Sequence, residues 1–309
     1  MTDETTASAM ARRDLRAMNS DVTLIAGAAD AARRLDRAER WLAAYEARFS
    51  RFLPASELTR LNTAAGRPFR ASPRLFALVS LALALARRSG GLFDPTVLHR
   101  LEDAGYDRSF ELLAGNASSP RPARAPNGSW RDLRLDAGAR TIELPAGLGI
   151  DLGGIGKGWA VDQLVAMIGR PGLVDGGGDV FAAGSPTDGP AWRVGVADPF
   201  QSERDLRLLR LVDRGVATSS SLKRRWTAGG AVLHHLIDPR TGRPSTSDAV
   251  QVTAIASSTL LADYHAKVAL LLGARRGLEY LNREPAVEGI IVRADGSVIE
   301  SRGLAAYLA

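Results

Sequence analysis

Residues 151–158 read Asp-Leu-Gly-Gly-Ile-Gly-Lys-Gly, and here the chain concentrates groups that could handle an anion. Closely spaced glycines let a ligand approach the backbone. The segment leads into a helix whose first N–H groups favour negative charge, and Lys157 adds a full positive charge. Asp151 is unsuited to a phosphate and fits a ring N–H or amide donor. The pattern is not a P-loop, because Asp151 stands at the first glycine position and Gly158 follows the lysine where Ser or Thr is needed. It is not a dinucleotide fingerprint either, since Trp159 occupies the third glycine position. A tight strand-to-helix turn with a structural lysine accounts for the same residues equally well. A second cluster, Asp175-Gly176-Gly177-Gly178-Asp179, reads as a hairpin turn, and the run Lys223-Arg224-Arg225 reads as a solvated face. His234 and His235 point to opposite faces of a regular strand, so only one of them can enter a cleft.

The elements that must position these groups show helical and strand patterning in separate parts of the chain. Apolar residues at helical spacing (Leu35, Ala38, Leu42, Tyr45, Phe49) predict a helix over 28–49, after a short strand at Val22–Ala26. Ser56 begins a further helix, and Pro73–Arg88 forms another that ends at Gly90-Gly91. Residues 114–129 are rich in Pro, Gly, Ser and Asn and read as a surface loop. Short strands follow around 131–135 and 140–144, then a helix at about 157–169, then four or five strands between 173 and 256. Ser258 caps a helix that Gly273 ends near Leu272, and a short helix, a strand at 289–293 and a terminal turn complete the chain. This order predicts an α+β fold. Residues 1–15 read as a disordered tail and 16–309 as a single domain.

The chain has 309 residues, enough for a substantial core, with 45% hydrophobic and 24% charged residues, which is ordinary globular composition. It has no Cys, which excludes disulfides, thiolate metal sites and Cys nucleophiles. The net charge of +6 reads first as a solvated, Arg-rich surface and second as attraction for an anionic partner. No basic stripe interleaved with aromatics is present, so nucleic acid is not expected. No apolar run reaches the ~20 residues of a membrane span and no signal-like apolar region opens the chain, so a cytoplasmic protein without membrane insertion is the expectation.

Several segments occur together in an order that resembles the FAD:protein FMN transferases, the ApbE family. They are Phe49-Ser50-Arg51-Phe52 with Ser56-Glu57 and Leu61-Asn62, then Gly91 to Val97, Asp151 to Asp162, Gly177-Gly178-Asp179 and Trp192 to Val196. Val216 to Ser219, His235 to Gly242 and Ala262-Asp263 follow. The resemblance spans roughly residues 16–300. It implies T-fold-like mixed sheets covered by helices, with FAD in a cleft between intertwined halves. It also implies transfer of FMN from FAD to a Thr or Ser hydroxyl of a target protein, with release of AMP and usually with Mg2+. Position by position it implies cofactor contacts at Met18, Phe52, Leu92, Phe93, Asp94, Asp151, Lys157 and Ile237, and a general base at His235. Phe52 stands where the family has Tyr, and Asn19-Ser20 where it has Gly-Thr. The resemblance places the metal at the carbonyl of Gly154, at Asp263, at the carbonyl of Ala266 and at a Thr hydroxyl four residues after the Asp.

That last position is Lys267, which has no lone pair when protonated and cannot ligate as Thr does. Residues i and i+4 share a helix face, so Lys267 is within reach of Asp263. Either Lys267 takes over part of the metal's role, as a catalytic residue, or transfer is lost. Two alternatives to the transferase therefore stay open: a non-catalytic FAD-binding carrier, and a pyrophosphatase that cleaves FAD to FMN and AMP.

Overall fold

The computed structural model describes residues 10–27, 29–113, 128–201 and 203–309. Its backbone is an eight-stranded antiparallel sheet whose strands lie side by side in chain order. These are β1 (Ala11–Ala17), β2 (Ser20–Ala26), β3 (Gly172–Asp175), β4 (Val180–Ala183), β5 (Arg214–Ser220), β6 (Ala249–Ala256), β7 (Glu288–Arg293) and β8 (Val298–Glu300). The helices are α1 (Ala31–Phe49), α2 (Glu57–Thr63), α3 (Pro73–Arg88), α4 (Leu98–Asp103), α5 (Phe110–Leu113), α6 (Gly156–Ile168), α7 (Thr259–Leu272) and α8 (Ala274–Leu281). The architecture is α+β, as the element order predicts.

β6 is buried along its whole length because both faces of the sheet are covered there. Its Val252, Ala254 and Ala256 pack in one cluster with Ala262, Ala266 and Leu270 of α7. Ile255 faces the other way, toward Trp192, Val196, Leu209 and Leu211 of an antiparallel ribbon formed by Trp192–Ala197 and Asp205–Leu211. Such two-sided burial turns a strand into an apolar run without alternation. β2 still alternates, with Val22, Leu24 and Ala26 buried.

α6 and α7 meet closely, and two residues account for it. At Gly158 a Cβ would lie 2.8 Å from the Leu260 Cα and 2.8 Å from the Thr259 carbonyl oxygen, so only glycine permits this backbone approach. One turn later, the Asp162 carboxylate accepts the N–H groups of Thr259 (2.8 Å) and Leu260 (3.1 Å), the first residues of α7. Those donors have no partner within their own helix, and a carboxylate is a strong acceptor for them. Ser258 accepts a third, from Leu261 (3.2 Å).

Two expectations are corrected. Residues 11–15 belong to β1 and are no tail; residues 1–9 lie outside the described residues. β1 escapes an apolar-pattern reading because it is a charged edge strand, whose Arg13 pairs with Asp36 and Glu39 of α1. Among the described residues between 172 and 256 there are ten strands instead of four or five, several of them only two to four residues long. Pieces that short carry too few side chains to show a period of two. The predicted helices over 28–49, 73–88, 157–169 and 259–272 match α1, α3, α6 and α7 to within three residues at each end. The loop at 114–129 lies outside the described residues except for Gly128 and Ser129.

Candidate active site

One cleft of about 520 Å³ gathers residues from widely separated stretches of chain, from Met18 to Leu271. That size falls within the usual range for small-molecule sites. Of the residues singled out from the sequence, Met18, Phe52, Leu92, Asp94, Asp151, Gly154, Lys157, His235, Ile237, Asp263 and Lys267 all line it. Phe93 does not: it is 2% exposed and its ring packs edge-on to Tyr264, with centroids 5.9 Å apart. Ala266 is fully buried in the α7–sheet cluster.

The glycine segment is the turn into α6, and its charges are already engaged. Asp151 Oδ1 accepts the Gly153 N–H (2.9 Å), and Oδ2 pairs with Arg51 Nε at 2.9 Å. Arg51 also donates to the Tyr106 carbonyl (2.9 Å) and lies 4.2 Å from the Phe52 ring centroid and 4.6 Å from that of Tyr106. Each Asp151 oxygen thus has one protein partner, and the carboxylate, which lines the cleft, keeps further lone pairs. Arg51 belongs to the segment Phe49–Phe52, and its pair with Asp151 joins two segments that sequence patterning does not show to be neighbours. Lys157 Nζ pairs with Asp179 Oδ2 at 2.5 Å, in the first turn of α6. Asp179 follows the β3–β4 turn, where Gly177 and Gly178 adopt φ 86° and 94° and donate to Asp175 Oδ1. The second glycine cluster is therefore a hairpin turn, as expected, and it also brings Asp175, Gly177 and Gly178 to the cleft.

The opposite rim begins with the two-residue turn between β1 and β2. Met18 and Asn19 both have positive φ (53° and 54°), the geometry of a type I′ hairpin turn. The Met18 N–H donates to Glu46 (3.0 Å), and Ser109 donates to Asn19 Oδ1 (2.8 Å). Asp94 accepts from the Thr96 N–H (2.7 Å) and hydroxyl (2.6 Å), yet burial raises its carboxyl above the usual range.

The third wall carries the ionisable groups. His234 is satisfied away from the cleft: Nε2 lies 2.9 Å from the Ser245 carbonyl, and Nδ1 accepts the Leu236 N–H. His235, its neighbour, lines the cleft with a buried Nδ1 that has no hydrogen-bond partner. Burial holds its imidazole well below the usual value, helped by Arg224, Lys267, His234 and Lys157. Burial also raises the Asp263 carboxyl, with Asp179 adding to the effect, while Lys267, Lys157 and Arg224 oppose it. Lys223 and Arg224 line the cleft; Arg224 is half-buried, which corrects its reading as a solvated side chain, while Lys223 and Arg225 are exposed. Arg224 adopts φ 49°, which places it at a turn that no apolar pattern announces.

Asp263 and Lys267 share a face of α7, but they do not close an i,i+4 pair. Asp263 Oδ2 is buried without a hydrogen-bond partner. Lys267 Nζ instead lies over Gly154, 2.0 Å from where a Cβ there would be. This arrangement does not fit a divalent cation held by Gly154, Asp263 and Ala266, because an ammonium takes the position beside the Gly154 backbone. Among the described residues, no group of three or more His, Cys, Asp or Glu side chains gathers to hold a metal ion. No helix of the described residues is long and apolar enough to cross a membrane.

The ApbE family model matches residues 18–291. The FAD:protein FMN transferase of Treponema pallidum (strain Nichols) is 30% identical over 275 residues, covering 81% of this chain and 74% of the relative. That of Klebsiella pneumoniae (strain 342) is 30% identical over 264 residues, covering 82% and 70%. Among solved structures, the ApbE protein of Thermotoga maritima superposes with a TM-score of 0.87 at 22% identity, over 97% of this chain and all of that one. The flavin transferase ApbE of Vibrio cholerae gives 0.78 at 23% identity, with the same coverage. These two establish the shared fold, and the family match together with the 30% identical relatives establishes that the chain belongs to the ApbE family.

Proposed function

We propose that the protein transfers FMN from FAD to a Thr or Ser hydroxyl of a target protein and releases AMP. The observation that carries this reading is His235, a neutral imidazole with an unpartnered Nδ1 at a cleft wall where Arg224, Lys157 and Lys267 converge. A base needs a free lone pair at working pH, and a pyrophosphate needs positive charge around it.

The attacking hydroxyl oxygen forms a bond to the phosphorus of the FMN half of the pyrophosphate. The bond from that phosphorus to the bridging oxygen breaks, and AMP leaves with the electron pair. His235 takes the hydroxyl proton as the new bond forms. The cationic side chains stabilise the charge that builds on the phosphoryl oxygens. Met18, Phe52, Leu92 and Ile237 offer apolar surface for the flavin and adenine rings, and Asp151 with Arg51 fixes the shape of the glycine turn. Mg2+, which the resemblance implies, does not fit the residues beside Gly154, where the Lys267 ammonium sits.

The test is incubation of the protein with FAD and a domain bearing an acceptor Thr. AMP release with flavin covalently on the acceptor is the expected result; AMP without labelled acceptor would mark hydrolysis instead. His235→Ala should keep FAD binding and lose roughly 10²- to 10⁴-fold in transfer rate, the usual contribution of a positioned base. Undiminished transfer in that variant would remove His235 from the role.

A further inference from the structure

Lys267 departs from its neighbours in how it is used. Lys157 is committed to Asp179, and Arg51 to Asp151. The Lys267 ammonium enters no ion pair among the described residues, although Asp263 one turn away keeps an unpartnered oxygen. It rests in a socket made by the bare Gly154 backbone and the Phe93 ring, whose centroid is 5.7 Å from Nζ. Any side chain at 154 would collide with it: a Cβ would meet Nζ at 2.0 Å, and Cε and the Phe93 ring edge at 3.2 Å each. The ammonium is therefore a held, unneutralised charge on the cleft wall. Lys157, Arg224 and Lys267 come from three separate segments, yet all three act on both His235 and Asp263, so their charges converge on one corner of the cleft.

We propose that the Lys267 ammonium is the resident cation of this reaction centre, binding the FAD pyrophosphate where a divalent metal would otherwise sit, so that FAD is bound and turned over without Mg2+. In the transfer step it faces the phosphoryl oxygens while the bond to AMP breaks, and it stabilises the departing phosphate without giving up a proton. A divalent ion added at the same place would face this ammonium directly, and like charges at contact distance repel. The turnover part of the proposal rests on the transferase reading; the binding part does not.

The experiment measures FAD affinity by quenching of flavin fluorescence on the full-length, EDTA-treated protein, in EDTA and in MgCl2, with AMP release followed in parallel. The wild type is expected to bind FAD equally well, within about twofold, in both conditions. Lys267→Met, which keeps the stem and drops the charge, should lose roughly 10- to 100-fold in affinity in EDTA, as removal of a charge-assisted contact does. Lys267→Thr should bind weakly in EDTA and regain affinity and AMP release with MgCl2. A wild type that loses about tenfold or more in EDTA and recovers with Mg2+ overturns the proposal, as does a folded Lys267→Met with wild-type affinity. Thermal melting by circular dichroism establishes that the Met variant is folded; should it not be, the wild-type comparison decides alone. FAD that binds without ever yielding AMP would strike the transferase reading and leave the metal-free binding claim to be scored on affinity.

Discussion

Arg51→Met should destabilise the protein and loosen its grip on FAD together. The guanidinium and its partner carboxylate are only 7% and 15% exposed, so their pair is largely desolvated. Methionine keeps the apolar stem against Phe52 and Tyr106 and removes the charge. The variant leaves Asp151 with only the Gly153 N–H and leaves the Tyr106 carbonyl without its donor. Breaking a buried pair from one side costs about 3–5 kcal/mol. The remaining Gly153 bond and the partial exposure of Asp151 favour the lower end, so a loss of about 3 kcal/mol is expected. Asp151→Asn should be milder, about 1–2 kcal/mol, because the amide still accepts from Gly153 while Arg51 keeps Tyr106 and both rings. The double variant should be more stable than the sum of the singles by about 1–2 kcal/mol, the coupling of residues in contact. Urea unfolding monitored by circular dichroism supplies the three values, and fluorescence quenching supplies FAD affinity. An Arg51→Met variant within about 0.5 kcal/mol of wild type, or singles that simply add, would refute the pairing argument.

Two further outcomes follow from groups outside the pyrophosphate corner. His265 is 1% exposed, 2.6 Å from the Tyr280 hydroxyl, and burial lowers its pKa to about 4. Its folded value lies below its unfolded one, so its contribution is complete above about pH 6.5 and is lost as pH falls from there toward 4. The loss amounts to about 3 kcal/mol, and His265→Gln should flatten the melting temperature against pH in this window; an unchanged slope would contradict the assignment. Gly158→Ala should cost about 1–3 kcal/mol despite its better helix propensity, because the new Cβ meets only backbone atoms of α7, and a neutral or stabilised variant would show that the two helices can part freely.

How much of the site was legible depended on whether a residue's role is local. The glycine turn, the α1 stripe and the Ser258 cap are local patterns and could be read directly. The separation of His234 from His235 was expected from the alternation of a regular strand; the structure does give one a backbone partner and the other the cleft, but the strand ends at His234 and His235 stands in the bend after it. Asp179 and Arg51 acquire their meaning from partners 22 and 100 residues away (179 − 157 and 151 − 51), and nothing in their own windows states which partner that will be. Lys267 is intermediate: its place in the motif flagged it, but helical spacing pointed to Asp263, whereas the glycine at 154 offered a socket that only the fold brings within reach. A run of three cations such as Lys223-Arg224-Arg225 looks solvated in sequence, and only the turn at Arg224, φ 49°, brings that residue to half-burial at the cleft.

The contact between α6 and α7 bears on how the cleft can respond to what enters it. Asp162 holds the start of α7, and Gly158 lets the two backbones touch. Lys157 on one helix and Asp263 and Lys267 on the other are consequently parts of one rigid jaw. His235 and Arg224 flank a two-stranded hairpin, Arg225–Ala228 with Ala231–His234, which is tied down where the Trp226 indole N–H donates to the Ala104 carbonyl (2.8 Å), while Gly229 and Gly230 sit at its far tip and Val232 is exposed. The placement of the Lys157, Asp263 and Lys267 charges is therefore set by the packing of two helices and not by the ligand that enters.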